Sequence, residues 1–221
     1  MTVNKTIMLS TKSIWQNTKT FFPLFESFIE KSDNPRPVVC IVGASDGRFV
    51  VPLARKNYDI IAVENDPIMI NGGVVEGPNK TKINVLGLKE RLKIEQLSSS
   101  VKIIENNFLD ADLPFLVDAV FTSSTWDCTI NHNSSLKEYI NKMQVILKPS
   151  GLFCAEYMMP CEEKHLNVEH FLDERKINNF FNEDWQILEE FFTPVFIDEP
   201  HVGKIFPHNH RMGFFVAKKI K

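Results

Sequence analysis

The sequence lacks closely spaced cysteines. Its four cysteines, Cys40, Cys128, Cys154 and Cys161, form no C-x-x-C motif, and Cys40 lies in an apolar run. Closely spaced pairs are typical of zinc sites and redox motifs, whereas disulfide frameworks belong to secreted chains. The spacing argues against both classes. We therefore expect buried free thiols and a reducing, cytoplasmic setting.

Long apolar runs and an excess of one charge sign are missing too. Residues 1–20 carry Lys5, Lys12 and Lys19 without an apolar run, so we expect no secretory signal. No stretch approaches the roughly 20 apolar residues of a transmembrane helix. With 25 Lys+Arg against 28 Asp+Glu the net charge is −3, which argues against wholesale nucleic-acid binding. We expect no membrane and no nucleic-acid partner.

The 221 residues do contain short apolar runs that alternate with amphipathic segments. The runs predict strands at 38–42, 59–63, 101–104, 118–121 and 152–158. Helices are predicted at 14–30, interrupted near Pro23, and at 49–57 and 136–147. This alternation indicates an α/β fold, a parallel sheet with helices on both faces. The apolar run 212–218 is a further strand that could close one edge of the sheet.

A glycine-containing turn, VGASDGRF, follows the first predicted strand. Gly43 permits a sharp turn, and Gly47 lets the following helix pack closely. The small residues Ala44 and Ser45 let a ligand approach the backbone. Glu64 ends the second predicted strand, where a carboxylate can accept hydrogen bonds from both hydroxyls of a ribose. The plainer alternative is that Glu64 is a surface residue that begins a loop, but its position after the turn favours a nucleoside site.

Four segments together resemble the class I S-adenosylmethionine-dependent methyltransferases. They are VGASDGRF, AVENDP, NNFLDADLPFLVDAVFTSS and ILKPSGLF, in that order between residues 38 and 153. The resemblance implies a Rossmann-like, doubly wound, mostly parallel seven-stranded sheet with helices on both faces, and S-adenosyl-L-methionine as the cofactor. The residues it implies for the cofactor are Gly43, Ala44, Ser45, Asp46, Gly47, Glu64, Asn65, Asn107, Phe108 and Ser123.

The same resemblance assigns parts of the cofactor to these residues. The glycine turn would pass under the methionine part, and Glu64 would hold the ribose. Asn65 would lie beside the adenine, Asn107 would accept a hydrogen bond from its amino group through the side-chain carbonyl, and Phe108 would stack nearby. Ser123 would line the region of the methyl donor.

The loops after the fourth and fifth predicted strands are expected to hold the methyl acceptor, because ligands bind at the carboxyl ends of parallel strands. Trp126 and Tyr157 are predicted to wall the acceptor, and Asp127, Tyr157 and His165 to orient or deprotonate it. Plainer interpretations stay open: Trp126 as packing, Asp127 as a helix cap, and His165 as an exposed side chain. No N-P-P-Y-like segment follows the fourth predicted strand, which argues against a DNA methyltransferase.

The C-terminal part bears a weaker resemblance to the small thiopurine and tellurite-resistance-type methyltransferases. It rests on Glu156-Tyr157, a predicted helix near 168–181, and the segment HRMGF that begins at His210. It implies a small-molecule acceptor. His210 and Arg211 are expected either to face this acceptor or to have a structural role, and Arg211 could hold a substrate carboxylate. The histidines at 201, 208 and 210 fit no strong zinc spacing, so we expect no metal site.

We predict an N-terminal helical lid over residues 1–36 and an S-adenosylmethionine-binding methyltransferase domain over residues 37–221, with a longer insertion at 67–100. The alternative to a lid is a helix packed on the sheet edge. The sequence leaves a homodimer open.

The predicted function is S-adenosylmethionine-dependent methyl transfer to a small-molecule acceptor. Ile41 and Ser45 stand where that family usually has an acidic residue and a glycine. This departure keeps two alternatives open. One is an enzyme that cyclises or cleaves the cofactor's aminobutyrate chain and releases methylthioadenosine. The other is a cofactor-binding protein without enzymatic activity.

Overall fold

The centre of the molecule is a seven-stranded sheet, seen in a computed structural model that describes residues 12–32 and 34–221. Its strands are β1 (Val38–Val42), β2 (Asp59–Glu64), β5 (Val101–Glu105), β6 (Val117–Ser123), β7 (Leu147–Met158), β8 (Trp185–Phe192) and β11 (Met212–Lys219). Two small hairpins lie outside it: β3 (Gly73–Glu76) with β4 (Lys82–Val85), and β9 (Phe196–Asp198) with β10 (His208–His210).

The strand order is β5-β2-β1-β6-β7-β11-β8, and only β11 runs against the others. The prediction of a Rossmann-like, mostly parallel seven-stranded sheet is therefore confirmed. The placement of the C-terminal strand at an edge was wrong, because β11 lies between β7 and β8. Its residues Met212–Ala217 are all buried, whereas the edge strand β8 is half-exposed along its length.

Helices cover both faces of the sheet, as predicted. On one face α1 (Phe22–Ile29), α2 (Val50–Arg55) and α4 (Leu88–Ile94) pack on a core that contains Phe25 and Phe121. On the other face α5 (Leu136–Val145) packs on a core that contains Trp126 and Tyr157. Among the described residues, no helix has the length and apolar character needed to cross a membrane.

The N-terminal helix is shorter than predicted. It begins at Phe22, with Pro23 in its first turn, where a proline is tolerated because the first N–H groups have no partner within the helix. Residues 14–17 form turns instead, and residues 18–20 are irregular. The prediction of a lid over residues 1–36 falls partly on residues 1–11 and 33, which lie outside the described part of the chain.

Two further segments differ from the predictions. The helix predicted near 168–181 is absent from that described range, which contains turns and a short 3₁₀ helix, Lys176–Phe180. A continuous helix over 168–181 is interrupted at Arg175, because this residue adopts a left-handed conformation with φ +61°. The helix predicted at 136–147 ends at Val145, and the strand predicted at 152–158 begins earlier, at Leu147. Within this longer β7, Ser150 has φ +64° and the register with β6 shifts, which marks an irregularity of the strand.

The segment 67–100 contains α3 (Pro67–Asn71), the β3–β4 hairpin and α4. The hairpin pairs only with itself, outside the main sheet, while α4 packs against the core through Leu88 and Leu92. The reading of 67–100 as an insertion, and the domain boundary at residue 37, stay predictions.

Candidate functional site

A cavity of about 730 Å³ opens at the carboxyl ends of β1, β2, β6 and β7. This volume lies within the range of about 300–1,000 Å³ that is usual for ligand pockets. The predicted site residues on its walls are Gly43, Ser45, Glu64, Asn65, Asn107, Phe108, Ser123, Asp127, His165 and His210. The sheet thus brings together side chains that are up to 167 positions apart, counted from Gly43 to His210.

The turn after β1 needs glycine at two positions. Gly43 has φ +72° and Gly47 has φ +94°, a region that other residues rarely adopt. A Cβ on Gly43 would lie 2.2 Å from the Thr125 Oγ1 atom, and one on Gly47 would lie 2.7 Å from the Leu88 side chain. The turn is therefore packed tightly against the loop after β6 and against α4.

Glu64 at the end of β2 joins the two turns that border the cavity. One carboxylate oxygen accepts the Ser45 N–H at 2.6 Å, and the other accepts the N–H groups of Asn65 at 2.8 Å and Asp66 at 2.9 Å. Three main-chain donors thus hold the carboxylate in one orientation at the cavity wall. A carboxylate has about four acceptor positions, so it can still accept a hydrogen bond from a ligand.

Three residues predicted to bind the cofactor, Ala44, Asp46 and Gly47, do not line the cavity. Asp46 is fully buried behind the turn, where it accepts hydrogen bonds from the Ser13 hydroxyl at 2.6 Å and the Ile14 N–H at 2.8 Å. Its carboxylate also pairs with the Arg91 guanidinium at 3.1 Å. Asp46 therefore fastens the N-terminal segment to the glycine turn, a role that the sequence pattern did not reveal.

The N-terminal segment 13–20 covers the glycine turn. The Trp15 indole N–H donates to the Ser45 hydroxyl at 2.8 Å, and the Arg48 guanidinium donates to the Thr18 side chain and carbonyl. Burial lowers the pKa of Arg48, while the nearby Glu156 and Asp46 carboxylates oppose that shift. Trp15, Thr18 and Lys19 all line the cavity. The described part of the predicted lid is thus a wall of the site, held by hydrogen bonds.

Asn107 and Phe108 also line the cavity. The Asn107 side-chain oxygen accepts the Leu109 N–H at 2.9 Å, which leaves one lone pair for a ligand. Phe108 stacks on Tyr139 with ring centroids 6.3 Å apart, and both rings line the cavity. The exposed Asn65 lies on the same wall.

Asp127 is a buried carboxyl group on the cavity wall. Burial raises its pKa to about 7, although main-chain hydrogen bonds at Asp127 and Met158 oppose the shift. One of its oxygens, Oδ1, has no hydrogen-bond partner in the described part of the protein. The carboxyl is therefore positioned to exchange a proton near neutral pH, and it is not a helix cap.

Ser123 connects the cavity to a second buried carboxyl group that sequence reasoning assigned no role. Glu156 accepts hydrogen bonds from the hydroxyls of Ser123 and Thr20 and from the Phe21 N–H. Burial raises its pKa, and these donors limit the rise. The sequence offered one signal for this role, because Glu156 is an acidic residue inside an otherwise apolar strand. The group anchors the N-terminal segment to β7.

His165 lies on the cavity wall but is buried, not exposed. Its ring stacks on Phe171 with centroids 4.2 Å apart, and its Nδ1 atom lies 3.6 Å from the Cys161 sulfur. Burial lowers the pKa of His165, which favours the neutral ring. Nδ1 also accepts the Cys161 N–H at 3.4 Å, so in the neutral ring Nε2 carries the proton and can donate a hydrogen bond. A role as a base would require Nδ1 to give up this contact.

Trp126 and Tyr157 were predicted to wall the acceptor, and the structure places both in the core, away from the cavity. Their exposed fractions are 1% and 0%. Neighbouring residues of a strand point to opposite faces, so Tyr157 is turned away from Glu156, and its ring packs over Gly213 of β11. The sequence identified the right strand end but not the face.

Arg211 is also outside the cavity wall, whereas its neighbour His210 is on it. The Arg211 guanidinium pairs with Glu174 and donates to the Thr193 carbonyl at 3.2 Å. These partners explain why it does not point to the acceptor. Sequence reasoning gave Asp198 no site role and included Trp15 only in the predicted lid, and both line the cavity. Asp198 becomes visible only through the pairing of β9 with β10.

Comparison with known proteins gives likeness in structure alone. No protein-family model matches the sequence, and no curated protein matches it. Among solved structures, TehB from Haemophilus influenzae has a TM-score of 0.66 at 14% identity and covers 93% of this chain. The chain spans 64% of the length of TehB, just under two thirds.

Two further solved structures show the range of proteins with this fold. A 1,6-didemethyltoxoflavin N1-methyltransferase from Burkholderia thailandensis, solved with S-adenosylhomocysteine, has a TM-score of 0.58 at 12% identity over 90% of this chain and 76% of its own. A putative RNA methyltransferase from Pyrococcus horikoshii has a TM-score of 0.56 at 11% identity over 90% of this chain and 82% of its own. The resemblance inferred from the sequence is thus confirmed at the level of the fold: the chain has the Rossmann-like fold of S-adenosylmethionine-dependent methyltransferases.

Proposed function

We propose that the chain binds S-adenosylmethionine in this cavity and transfers its methyl group to a small-molecule acceptor. The observation that carries the proposal is the Glu64 carboxylate, held at the cavity wall by three N–H groups beside the glycine turn. This is a fixed acceptor for ribose hydroxyls at the carboxyl end of β2. The S-adenosylhomocysteine bound to the toxoflavin methyltransferase supports the same ligand class.

The cavity has a separate place for each part of such a cofactor. Gly43 and Ser45 would hold the methionine part, Glu64 the ribose, and Asn107 with Phe108 the adenine. All five line one continuous cavity, which is why we keep this assignment. When bound, S-adenosylmethionine supplies a methyl group already activated by its sulfonium charge. The protein then has to exclude water and align the acceptor.

Asp127 is the side chain that we assign to the acceptor. Its carboxyl group can accept a proton from an alcohol or an ammonium group, and its pKa of about 7 suits proton transfer at neutral pH. His165 contributes a neutral ring on the same wall. Ser123 is fixed by its hydrogen bond to Glu156, so it can orient but not readily rotate.

A small acceptor is favoured over a macromolecule by the cover on the cavity. Trp15 and Thr18 are held by side chains of the glycine turn and line the cavity. A nucleic-acid strand would need an open and positively charged surface, whereas the chain carries a net charge of −3. Methyl transfer to RNA is an outcome that the acceptor screen below would reveal.

Cofactor binding is tested by calorimetry with S-adenosylhomocysteine. Glu64→Gln puts an NH₂ group against main-chain donors, so we expect a loss of about 10–100-fold in affinity, as for the loss of charge-assisted hydrogen bonds worth about 1.5–3 kcal/mol. Glu105→Gln is the matched control, because Glu105 is the register partner of Glu64 on β5 but is exposed and pairs with Lys89. Equal affinities of the two variants would remove Glu64 from the site.

The reaction is tested by mass spectrometry with S-adenosylmethionine, first alone and then with panels of small amines, phenols, thiols and carboxylic acids and with RNA. Formation of S-adenosylhomocysteine only when a small acceptor is present supports the proposal. Methylthioadenosine formed without an acceptor would support cleavage of the aminobutyrate chain. Tight binding without turnover on any panel would support a binding protein.

A further inference from the structure

Side chains able to ligate a metal ion meet on one wall of the cavity, at the β9–β10 hairpin. Asp198 and His208 are register partners in the antiparallel ladder, and His210 lies two residues further along the same face of β10. One ligand atom from each of these three residues lies within 4.8 Å of the other two. His201 adds its Nε2 atom 3.6 Å from an Asp198 oxygen.

Two of the histidines are held in the tautomer that a metal ion requires. The His208 Nδ1 atom lies 3.2 Å from the Phe206 carbonyl, and the His201 Nδ1 atom lies 2.8 Å from the Val202 carbonyl. A carbonyl can only accept, so Nδ1 carries the proton and Nε2 keeps a free lone pair. A backbone carbonyl bound to the second ring nitrogen is the usual support of a histidine that ligates a metal.

The third histidine has an unexplained ring nitrogen. His210 Nδ1 is buried and has no hydrogen-bond partner among the described residues. Buried polar atoms are nearly always paired, so an unpaired one beside a carboxylate and two imidazoles needs a ligand to account for it. The neighbouring histidines and the Asp198 carboxylate do not form a hydrogen bond with His210 Nδ1.

We propose that Asp198, His208 and His210 bind one divalent transition-metal ion on the cavity wall, with His201 adjacent to this ligand set. Imidazole and carboxylate donors suit Zn²⁺, Fe²⁺, Co²⁺ or Ni²⁺, whereas Mg²⁺ and Ca²⁺ prefer oxygen alone. The expectation of no metal came from comparing linear spacings. It missed Asp198, which the hairpin brings opposite His208.

The site belongs to the same chamber as the glycine turn. All four residues line the cavity, and the Trp15 ring contacts His201 with centroids 5.8 Å apart while its N–H binds Ser45. Trp15 therefore touches both the metal site and the glycine turn. The proposed metal site goes beyond the proposed function. If no metal binds there, the proposal of methyl transfer still stands.

The test is calorimetric titration of the untagged, chelator-treated full chain with Zn²⁺, and visible absorption with Co²⁺ as a probe of the ligand set. We expect one ion per chain. Asp198→Asn and His208→Ala are each expected to lower the affinity by more than the 10–100-fold that loss of an outer-shell hydrogen bond costs. His201→Gln is expected to have a smaller effect. His132→Gln is the control, because His132 lines the cavity outside this cluster.

Thermal unfolding keeps the test decisive if a variant is less stable. Zn²⁺ that binds only the folded chain raises its Tm, and the nearly isosteric Asp198→Asn should abolish that rise while its Tm without metal stays close to wild type. Three results would overturn the proposal: no saturable binding by the folded wild type, unchanged affinity in both the Asp198 and His208 variants, or an equal loss in the His132 control.

Discussion

The two ends of the cavity are built in different ways. The end around Gly43 and Glu64 consists of short, contiguous turns whose main-chain N–H groups point at one carboxylate. The other end consists of side chains from segments far apart in the chain, among them Asp127, His165 and Asp198. The first construction demands glycine and an acidic residue at set positions. The second demands only that the fold bring suitable side chains together.

Two carboxyl groups show the same difference in their surroundings. Glu64 accepts three main-chain hydrogen bonds, which fix the orientation of its carboxylate. Asp127 is buried, one of its oxygens has no partner among the described residues, and desolvation raises its pKa to about 7. A carboxylate held by donors suits binding, and a desolvated carboxyl suits proton transfer. The contrast predicts that mutations at the two ends affect different steps.

The largest expected effect is on turnover, from Asp127→Asn. The amide cannot take a proton, so kcat with an acceptor found in the screen should fall by about 10²–10⁴-fold if that acceptor must be deprotonated. S-adenosylhomocysteine affinity should stay within about twofold of wild type, since Asp127 is not part of the glycine turn. Single-turnover rates and calorimetry measure the two quantities. A variant that loses affinity and keeps its turnover would contradict the division between the two ends.

The next effect is on stability as a function of pH. Because the pKa of Asp127 is about 7 in the folded chain and 3.8 in its ordinary state, the folded chain binds the proton more tightly. Stability is then highest below about pH 4 as far as this group is concerned, and falls as pH rises to 7, by about 4 kcal/mol. Denaturant unfolding of wild type and Asp127→Asn at several pH values should show a smaller fall in the variant. Parallel curves would mean that Asp127 is ionised in the folded chain.

How far the sequence predicts this molecule depends on the range of the interactions involved. The strand at residues 38–42 was predicted to the residue, and the second strand to within one, because burial on both faces leaves continuous apolar runs. The glycine turn and Glu64 were found for the same local reason. Three features depend on contacts between distant segments. They are the sheet face on which Tyr157 lies, the burial of Asp46 behind the turn, and the pairing of Asp198 with His208. Periodicity carries no information about those.

The smallest effect tests the face on which Tyr157 lies. Its hydroxyl is buried with no partner among the described residues, so Tyr157→Phe should stabilise the chain by about 1 kcal/mol and leave cofactor affinity and turnover unchanged. Denaturant midpoints at constant m-value measure the gain. Tyr139→Phe is the matched control. Its hydroxyl shares a hydrogen bond with Asn107, so its removal should destabilise the chain by a similar amount. If Tyr157→Phe instead lowers turnover while cofactor affinity is kept, the tyrosine belongs to the acceptor end after all.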